Sequence, residues 1–123
     1  MNNKWHFLKN LKGNDPLEVS AEATLEPESR WFDGHFPGSP ILPGIAQLSL
    51  AFDAIQEYSK RNGRMVALSG VSRVRFRQFI HPGDTVLVTA IPEKDDPAWY
   101  KFKVAVGGQV ACSGSMKTAP APD

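Results

Sequence analysis

The sequence has 123 residues, of which 41% are hydrophobic and 22% are charged, and its formal net charge is +1. This length fits one domain, expected over residues 1–123, and the near-neutral charge gives no general attraction for nucleic acid or a membrane surface. The single cysteine, Cys112, cannot form an internal disulfide, and Cys and His residues cluster too little for a metal site. No apolar run approaches the ~18 residues of a membrane span and no signal peptide is recognisable, so we predict a cytoplasmic protein.

The N-terminal region, residues 1–16, is predicted to form a short helix or turn. Trp5, Leu8 and Leu11 recur at helical spacing, and a Gly-Asn-Asp-Pro run ends the pattern. Apolar and polar residues then alternate over residues 17–25, which predicts a strand with one buried face. Residues 28–44 hold three prolines, three glycines and three aromatics, which indicates a rigid, specifically shaped loop rather than a strand or a linker.

A long helix is predicted over residues 43–62. It begins at Pro43, a residue suited to the first turn of a helix, and apolar residues from Ile45 to Ile55 follow helical spacing. Lys60 and Arg61 followed by Gly63 are stop signals. Apolar residues cover much of the circumference, as expected for a buried helix.

The C-terminal half is predicted to consist of strands joined by short turns. Strands are predicted over 64–80, 85–91, 98–106 and 109–117, with a bulge or kink in the first of them at Gly70. They are joined by a turn at 81–84, a charged loop at 92–97 and a hairpin turn at Gly107 and Gly108. Residues 118–123 are predicted to form a flexible tail. The short connections predict an α+β fold, with an antiparallel sheet of about five or six strands wrapped around one long central helix. One sheet covers such a helix poorly, so we expect a homodimer or a larger assembly of dimers.

Two stretches of the sequence resemble a known family. Residues 26–44 read EPESRWFDGHFPGSPILPG, which is similar to the GHFPGxPxxPG active-site loop of FabA/FabZ-type 3-hydroxyacyl thioester dehydratases. Residues 74–84 resemble the VKFRRPVxPGD strand and turn of the same family. The resemblance covers residues 17–117. It implies a hot-dog fold and an acyl thioester substrate, carried on acyl carrier protein or coenzyme A, and we expect no cofactor.

The chemistry of dehydration points to two residues. His35 is the candidate acid–base group, because an ordinary His pKa of ~6.5 lets it take and return a proton near neutral pH. Gly44 is the candidate oxyanion donor, because its N–H lies at the predicted helix N-terminus and a missing Cβ allows close approach. The resemblance implies the same role for Gly44, and an acyl chain running in a tunnel beside the helix at a dimer interface.

Further residues of the loop and helix are candidates for binding the substrate: Phe36, Pro37, Gly38, Pro43 and Gln47. Those in the loop would also hold His35 rigidly, which matters because misplaced catalytic groups are costly. Gln47 is either a buried hydrogen-bonding residue near the site or an exposed residue, and the sequence does not choose between the two.

The sequence departs from the family at Ser49. The dehydratases carry a Glu or Asp fourteen residues after the histidine, supplied by the partner subunit to polarise the leaving oxygen. A serine hydroxyl can hydrogen-bond that oxygen but has no charge, and losing a positioned acid–base group typically costs ~10²–10⁴-fold in rate. Asp53 lies one helical turn later on the same face and is a second candidate for this role. The alternative for Asp53 is a solvated or salt-bridged residue.

Arg73, Arg75 and Arg77 alternate along a predicted strand. Such a basic face either docks an acidic carrier protein or the phosphates of coenzyme A, or is simply solvated. We expect no binding of nucleic acid, because the net charge is near zero and no stacking platform is evident. We expect Cys112 to be a packed thiol rather than a nucleophile, because no basic partner is visible.

Three functions are compatible with the sequence. The first is a FabA/FabZ-like (3R)-hydroxyacyl thioester dehydratase of fatty-acid or related acyl-chain biosynthesis, with activity altered or weakened by Ser49. The second is a non-catalytic thioester-binding protein, which would be a partner subunit of an active dehydratase. The third is a thioesterase or isomerase on the same fold, since a fold does not fix its chemistry.

Overall fold

The computed structural model describes residues 8–14, 17–27, 29–32 and 41–122, apart from the side chain of Arg30. In chain order the elements are β1 (Lys9–Asn14), β2 (Glu18–Thr24), a short 3-10 helix (Arg30–Phe32), α1 (Gly44–Arg61), β3 (Val66–Phe76), β4 (Thr85–Pro92), β5 (Trp99–Val106) and β6 (Gln109–Pro120). The predicted α+β class, with one long helix set among strands, is confirmed.

The strands form one antiparallel sheet in the order β1-β2-β4-β5-β6-β3, which leaves β1 and β3 at its edges. Alternate residues of β4 and β5 are buried, including Val86, Val88, Phe102 and Val104. Helix α1 packs against β1 to β5 on that apolar face. The predicted sheet of five or six strands wrapped around a central helix is therefore confirmed.

Helix α1 begins and ends close to the predicted bounds of 43–62. Pro43 precedes it in an extended conformation, and Gly63 follows it with φ +79°, a conformation that glycine adopts without strain. The buried side of the helix is rich in small residues, namely Ala46, Ala51 and Ala54, which lets the sheet approach closely. Because Ile45 is 65% exposed, one chain leaves part of the apolar circumference uncovered.

Two local predictions about the sheet are confirmed. The register of β3 against β6 shifts between Leu68 and Gly70, at the predicted bulge. Gly107 and Gly108 both have positive φ, +57° and +79°, as a two-residue hairpin turn between β5 and β6 requires.

The predicted helix or turn at the N-terminus is wrong for residues 9–14, which form strand β1. Their backbone pairs with β2, with Lys12 opposite Ser20 and Asn14 opposite Glu18. Gly13 lies in close contact with the ring of Tyr58 on α1, so the strand passes against the helix. Backbone pairing with β2 outweighs the local helical spacing, which came from few residues. Trp5 lies outside the described residues.

The predicted flexible tail is wrong for residues 118–120, which belong to β6. Ala119 pairs with Ala67, Pro120 pairs with Val66, and the Ala121 N–H donates to the carbonyl of Met65 at 3.0 Å. The start of β3 offers backbone partners there, and these outweigh the disorder that a Pro/Ala composition suggests. Asp123 lies outside the described residues.

Candidate active site

The two stretches that carry the family resemblance meet in the structure. The Leu42 N–H donates to the carbonyl of Ile80 at 2.7 Å, just before helix α1. The Leu25 N–H donates to the carbonyl of Asp84 at 2.8 Å, and the Gly83 N–H donates to the carbonyl of Leu25 at 2.6 Å. The turn at residues 80–84 thus anchors the chain both before and after the Pro-rich loop.

His35, Phe36, Pro37 and Gly38 lie outside the described residues, so their roles stay predictions. The described residues nearest to them in sequence are Phe32, which is buried in the core, and Ile41, which is half-buried.

The N-terminus of α1 carries backbone N–H groups for which the helix itself supplies no acceptor. Pro43 occupies the cap position with φ −60° and ψ 152°, and no side chain caps the helix among the described residues. Its carbonyl accepts hydrogen bonds from the N–H groups of Ala46 at 3.0 Å and Gln47 at 3.4 Å. The Gly44 N–H belongs to the first turn, where helix geometry supplies no acceptor and the helix dipole adds positive charge. This arrangement suits a developing oxyanion.

Phe76 covers this helix terminus. A Cβ placed on Gly44 would lie 2.9 Å from Cζ of Phe76, so only glycine lets the ring rest here. Phe76 ends β3 and is 52% exposed. Sequence reasoning assigned Phe76 no role. Its place in the second family-like stretch was the available signal, but strand alternation does not say which helix residue a side chain meets.

A cavity of about 560 Å³ opens at this point, lined by residues 41–44, Gln47 and residues 76–79. Ile41, Leu42, Phe76 and Phe79 make much of its wall apolar, as acyl-binding pockets usually are. The structure therefore brings together the candidate oxyanion donor Gly44, the candidate binding residues Pro43 and Gln47, and an apolar wall that the sequence did not predict.

Gln47 is buried, with 3% of its surface exposed, so the alternative of an exposed residue is excluded. Its side-chain oxygen Oε1 is enclosed and has no hydrogen-bond partner in the described part of the chain. Buried polar atoms of this kind are uncommon, because an unmade hydrogen bond in the interior is costly.

Ser49 lies on another side of the helix. It follows Gln47 by two residues, which is about 200° around the helix axis. It is half-buried, shares its face with the half-buried Asp53 and the exposed Ile45, and is not among the described residues that line the cavity. Ser49 and Asp53 therefore do not line the cavity at their own helix N-terminus, and their predicted roles stay predictions.

The three predicted arginines line one groove on the outer face of the sheet, of about 560 Å³. The spacing is not the regular alternation predicted, because Arg73 has φ +57° and the register shifts between Ser72 and Arg75. Lys101 and Lys103 of β5 line the same groove. Sequence reasoning missed both lysines, although their alternation along a predicted strand was a usable signal.

Cys112 is fully buried in β6, and burial raises the pKa of its thiol to about 11. A thiol with that pKa is neutral at physiological pH, so it is a poor nucleophile. This agrees with the prediction of a packed thiol. In the described residues no helix is both long and apolar enough to cross a membrane. The cytoplasmic location stays a prediction.

A six-stranded antiparallel sheet around one long helix, with an apolar cavity at the helix N-terminus, defines a hot-dog-fold protein. The family model described as ApeI dehydratase matches residues 11–115. The chain belongs to this ApeI-like dehydratase family.

Individual relatives agree with that assignment. The FabZ 3-hydroxyacyl-[acyl-carrier-protein] dehydratase of Syntrophomonas wolfei is 31% identical over 115 residues, which cover 89% of this chain and 70% of the relative. A chain of the dehydratase heterocomplex ApeI:P from Xenorhabdus doucetiae superposes on this protein with a TM-score of 0.74 and is 25% identical in sequence. The match covers 93% of this chain and 97% of the Xenorhabdus chain. The yhdA protein of Lactococcus lactis, with a TM-score of 0.75, 14% identity and 94% of both chains covered, shows the fold alone.

These relatives confirm the predicted membership of a FabA/FabZ-like hot-dog family and a hydroxyacyl dehydratase-like function of the hydro-lyase class. They do not favour the thioesterase or the non-catalytic alternative.

Proposed function

We propose that this chain dehydrates a 3-hydroxyacyl thioester, with the thioester oxygen bound at the N–H of Gly44 and His35 as the acid–base group. The observation that carries the proposal is the N-terminus of α1, which no side chain of the described residues caps and which opens onto a largely apolar cavity of about 560 Å³. Donors at such a helix terminus stabilise negative charge that develops on a carbonyl oxygen.

In this reaction His35 takes the proton from C2 while charge grows on the thioester oxygen beside Gly44. The C3–O bond then breaks, a C2=C3 double bond forms, and the hydroxyl leaves as water after receiving a proton. The substrate carbonyl lies against the backbone, because Gly44 has no Cβ to hold it away. The apolar wall formed by Leu42, Phe76 and Phe79 accommodates the acyl chain.

The leaving hydroxyl requires a group that polarises it, and we propose that a second hot-dog chain supplies it. Ser49 and Asp53 face away from their own cavity, and β3 is an edge strand of 11 residues. Leu68 and Val71 on β3 are 42% and 45% exposed, an apolar edge of the kind that pairs with another chain.

The second chain is either a copy of this one, which presents Ser49 and Asp53, or a different hot-dog chain that presents a carboxylate. The relative from Xenorhabdus doucetiae is described as a dehydratase heterocomplex, which supports the second arrangement. A monomeric mass of this chain alone in analytical ultracentrifugation at micromolar concentration would contradict the first arrangement. No increase in mass after mixing with a carboxylate-bearing relative would contradict the second.

We also propose that the substrate arrives on an acyl carrier protein. Five cationic side chains line the outer groove: Arg73, Arg75, Arg77, Lys101 and Lys103. In the sheet, Ser113 lies between Arg75 and Lys103, so a row of small polar residues separates the two cationic rims. Such a groove complements a negatively charged helix or a phosphate group.

The decisive experiment follows the absorbance of the conjugated enoyl group when the purified protein hydrates a crotonyl thioester. We expect measurable turnover in the wild type and none in the His35→Ala variant. The control is Lys94→Ala, because Lys94 is exposed in the loop between β4 and β5 and should not affect the rate. Binding of the thioester without turnover, in the chain alone and after mixing with a carboxylate-bearing relative, would contradict the dehydratase and support a binding role.

A further inference from the structure

The enclosed side-chain oxygen of Gln47 has no hydrogen-bond partner within the described residues. Gln47 is 97% buried, because only 3% of its surface is exposed, and its Oε1 finds no hydrogen-bond donor among the described residues. Gln78 is one of the polar residues lining the same cavity, but its amide donates to Gln109. A buried acceptor left unpaired destabilises the fold, so the unpaired Oε1 points to a partner that arrives with a ligand.

Gln47 is well placed to meet a ligand that is held at Gly44. Both residues line the cavity at the start of α1, and residues three apart on a helix are neighbours on one face. Much of the rest of the wall is apolar, including Leu42 and Phe79, and Gln47 lines it together with the polar residues Arg77 and Gln78.

We propose that Gln47 is a specificity-determining residue, whose Oε1 accepts a hydrogen bond from the 3-hydroxyl of the acyl thioester bound at Gly44. The inference rests on the proposed function. It adds the residue that distinguishes a 3-hydroxyacyl thioester from the thioester of the same acyl group without the hydroxyl. One carbon, C2, separates the thioester carbonyl carbon from C3, which bears the hydroxyl, so one ligand spans both protein groups. An unsubstituted acyl chain would leave Oε1 unpaired, and a site built around such a hydrogen bond rejects the analogue that lacks it.

The test compares two ligands that differ in one group, (3R)-3-hydroxybutanoyl-pantetheine and butanoyl-pantetheine, by calorimetry. Both carry the same pantetheine amides, so any preference reports the hydroxyl. We expect the wild-type protein to bind the hydroxylated ligand at least tenfold more tightly. Gln47→Met, which keeps the side-chain volume and removes the acceptor, should reduce that preference to less than twofold.

Gln56→Met is the matched control on the same helix. Gln56 donates through Nε2 to the carbonyl of Val66 at 3.2 Å and does not line the cavity, so this variant should keep the ligand preference. Thermal melting separates the roles further. Gln47→Met should melt at the wild-type temperature or higher, because it removes an unpaired buried atom, while Gln56→Met should melt lower.

Each of the other possible outcomes contradicts either the role of Gln47 or the proposed function. Equal binding of the two ligands by the wild type would overturn the role of Gln47 while leaving thioester binding intact. A Gln47→Met variant that melts lower and keeps the preference would show that Gln47 is structural. If the wild type binds neither ligand, the proposed function falls, and the role of Gln47 falls with it.

Discussion

The ring of Phe76 rests on the backbone of Gly44, with its Cζ 2.9 Å from the point that a Cβ on Gly44 would occupy. The contact joins the end of β3 to the start of α1 and so joins the two stretches that resemble the dehydratase family. It also separates two roles for this glycine. One is to make room for the aromatic ring, and the other is to let a substrate approach the helix N-terminus.

Gly44→Ala should lower the affinity for thioester or the turnover at least tenfold, because the new methyl group occupies the approach to the N–H. The stability should change by less than about 1 kcal/mol, because Phe76 is 52% exposed and its ring can move aside. Steady-state kinetics and chemical denaturation of the same variant measure the two effects.

A double variant, Gly44→Ala with Phe76→Ala, distinguishes the two roles of the glycine. It removes the steric conflict with the ring but keeps the methyl group beside the helix N-terminus. The reference is the single variant Phe76→Ala, which lacks the same part of the cavity wall but keeps the glycine. We expect the double variant to be less active than Phe76→Ala, and equal activity of the two would show that Gly44 serves only the packing of Phe76.

Ser49→Glu should raise the dehydration rate at least tenfold in an assembly of this chain alone. The substitution restores a titratable group at the half-buried position where the family carries a carboxylate, and such a group contributes ~10²–10⁴-fold. The enoyl absorbance assay on the wild type and the variant measures this gain.

Asp53→Asn in the otherwise wild-type chain tests whether Asp53 already fills the role. A large loss of activity in Asp53→Asn, together with no gain in Ser49→Glu, would make Asp53 the acid and would contradict the prediction for Ser49. Glu57→Gln is the control, because Glu57 is an exposed carboxylate on the same helix.

Much of the fold follows from local pattern, because alternation and helix stop signals act over a few residues. The bounds of α1 followed from Pro43 and Gly63, and the β5–β6 hairpin followed from two adjacent glycines. Strand β1 did not, because most of its residues are exposed and carry no alternation. Its conformation depends on pairing with β2, which is not readable from residues 9–14 themselves.

The candidate site was predictable where one stretch of sequence carries it and not where distant residues meet. The motif identified Gly44 and the departure at Ser49. The burial of Gln47, the ring of Phe76 over Gly44 and the two lysines beside the arginines all depend on how β3, β5 and α1 pack. These contacts join residues far apart in the chain, so local spacing can place a residue on one face of a strand or helix but does not show which distant residue it meets.

The thiol of Cys112 should make stability depend on pH in the alkaline range. Burial raises its pKa from 9.0 to about 11, so the folded chain holds this proton more tightly than the unfolded chain. The contribution of this thiol to the free energy of unfolding is fully present below pH 9. It is lost as the pH rises from 9 toward 11, because the unfolded state then binds fewer protons than the folded state. The free energy of unfolding of the wild type, measured by denaturant from pH 8 to 10.5, should fall more steeply than that of Cys112→Ala.

The comparison with Cys112→Ala cancels the titration of lysines and tyrosines, which both proteins share. Parallel curves for the two proteins would contradict the prediction. A thiol reagent at pH 8 gives a second measurement, since the native thiol should react far more slowly than the thiol of the denatured chain.

Reversing charges in the outer groove should impair the use of carrier-bound substrate specifically. Arg75→Glu combined with Lys103→Glu places two anions on either side of Ser113, where an acidic carrier protein would dock. We expect the KM for an acyl-carrier-protein thioester to rise about tenfold, which corresponds to ~1.4 kcal/mol. The kcat, and all constants for a pantetheine thioester, should stay unchanged because the cavity at Gly44 is untouched.

The control for this pair combines Lys60→Glu with Arg61→Glu, which changes the net charge equally at the exposed end of α1, away from the groove. A similar rise in KM in this control would mean that total charge, rather than the groove, attracts the carrier. A rise for the pantetheine thioester as well would mean that the groove substitutions disturb the site itself. Salt should weaken the wild-type preference for the carrier-bound substrate and have little effect on the reversed variant, because the attraction between exposed charges is screened over about 10 Å at 0.1 M ionic strength.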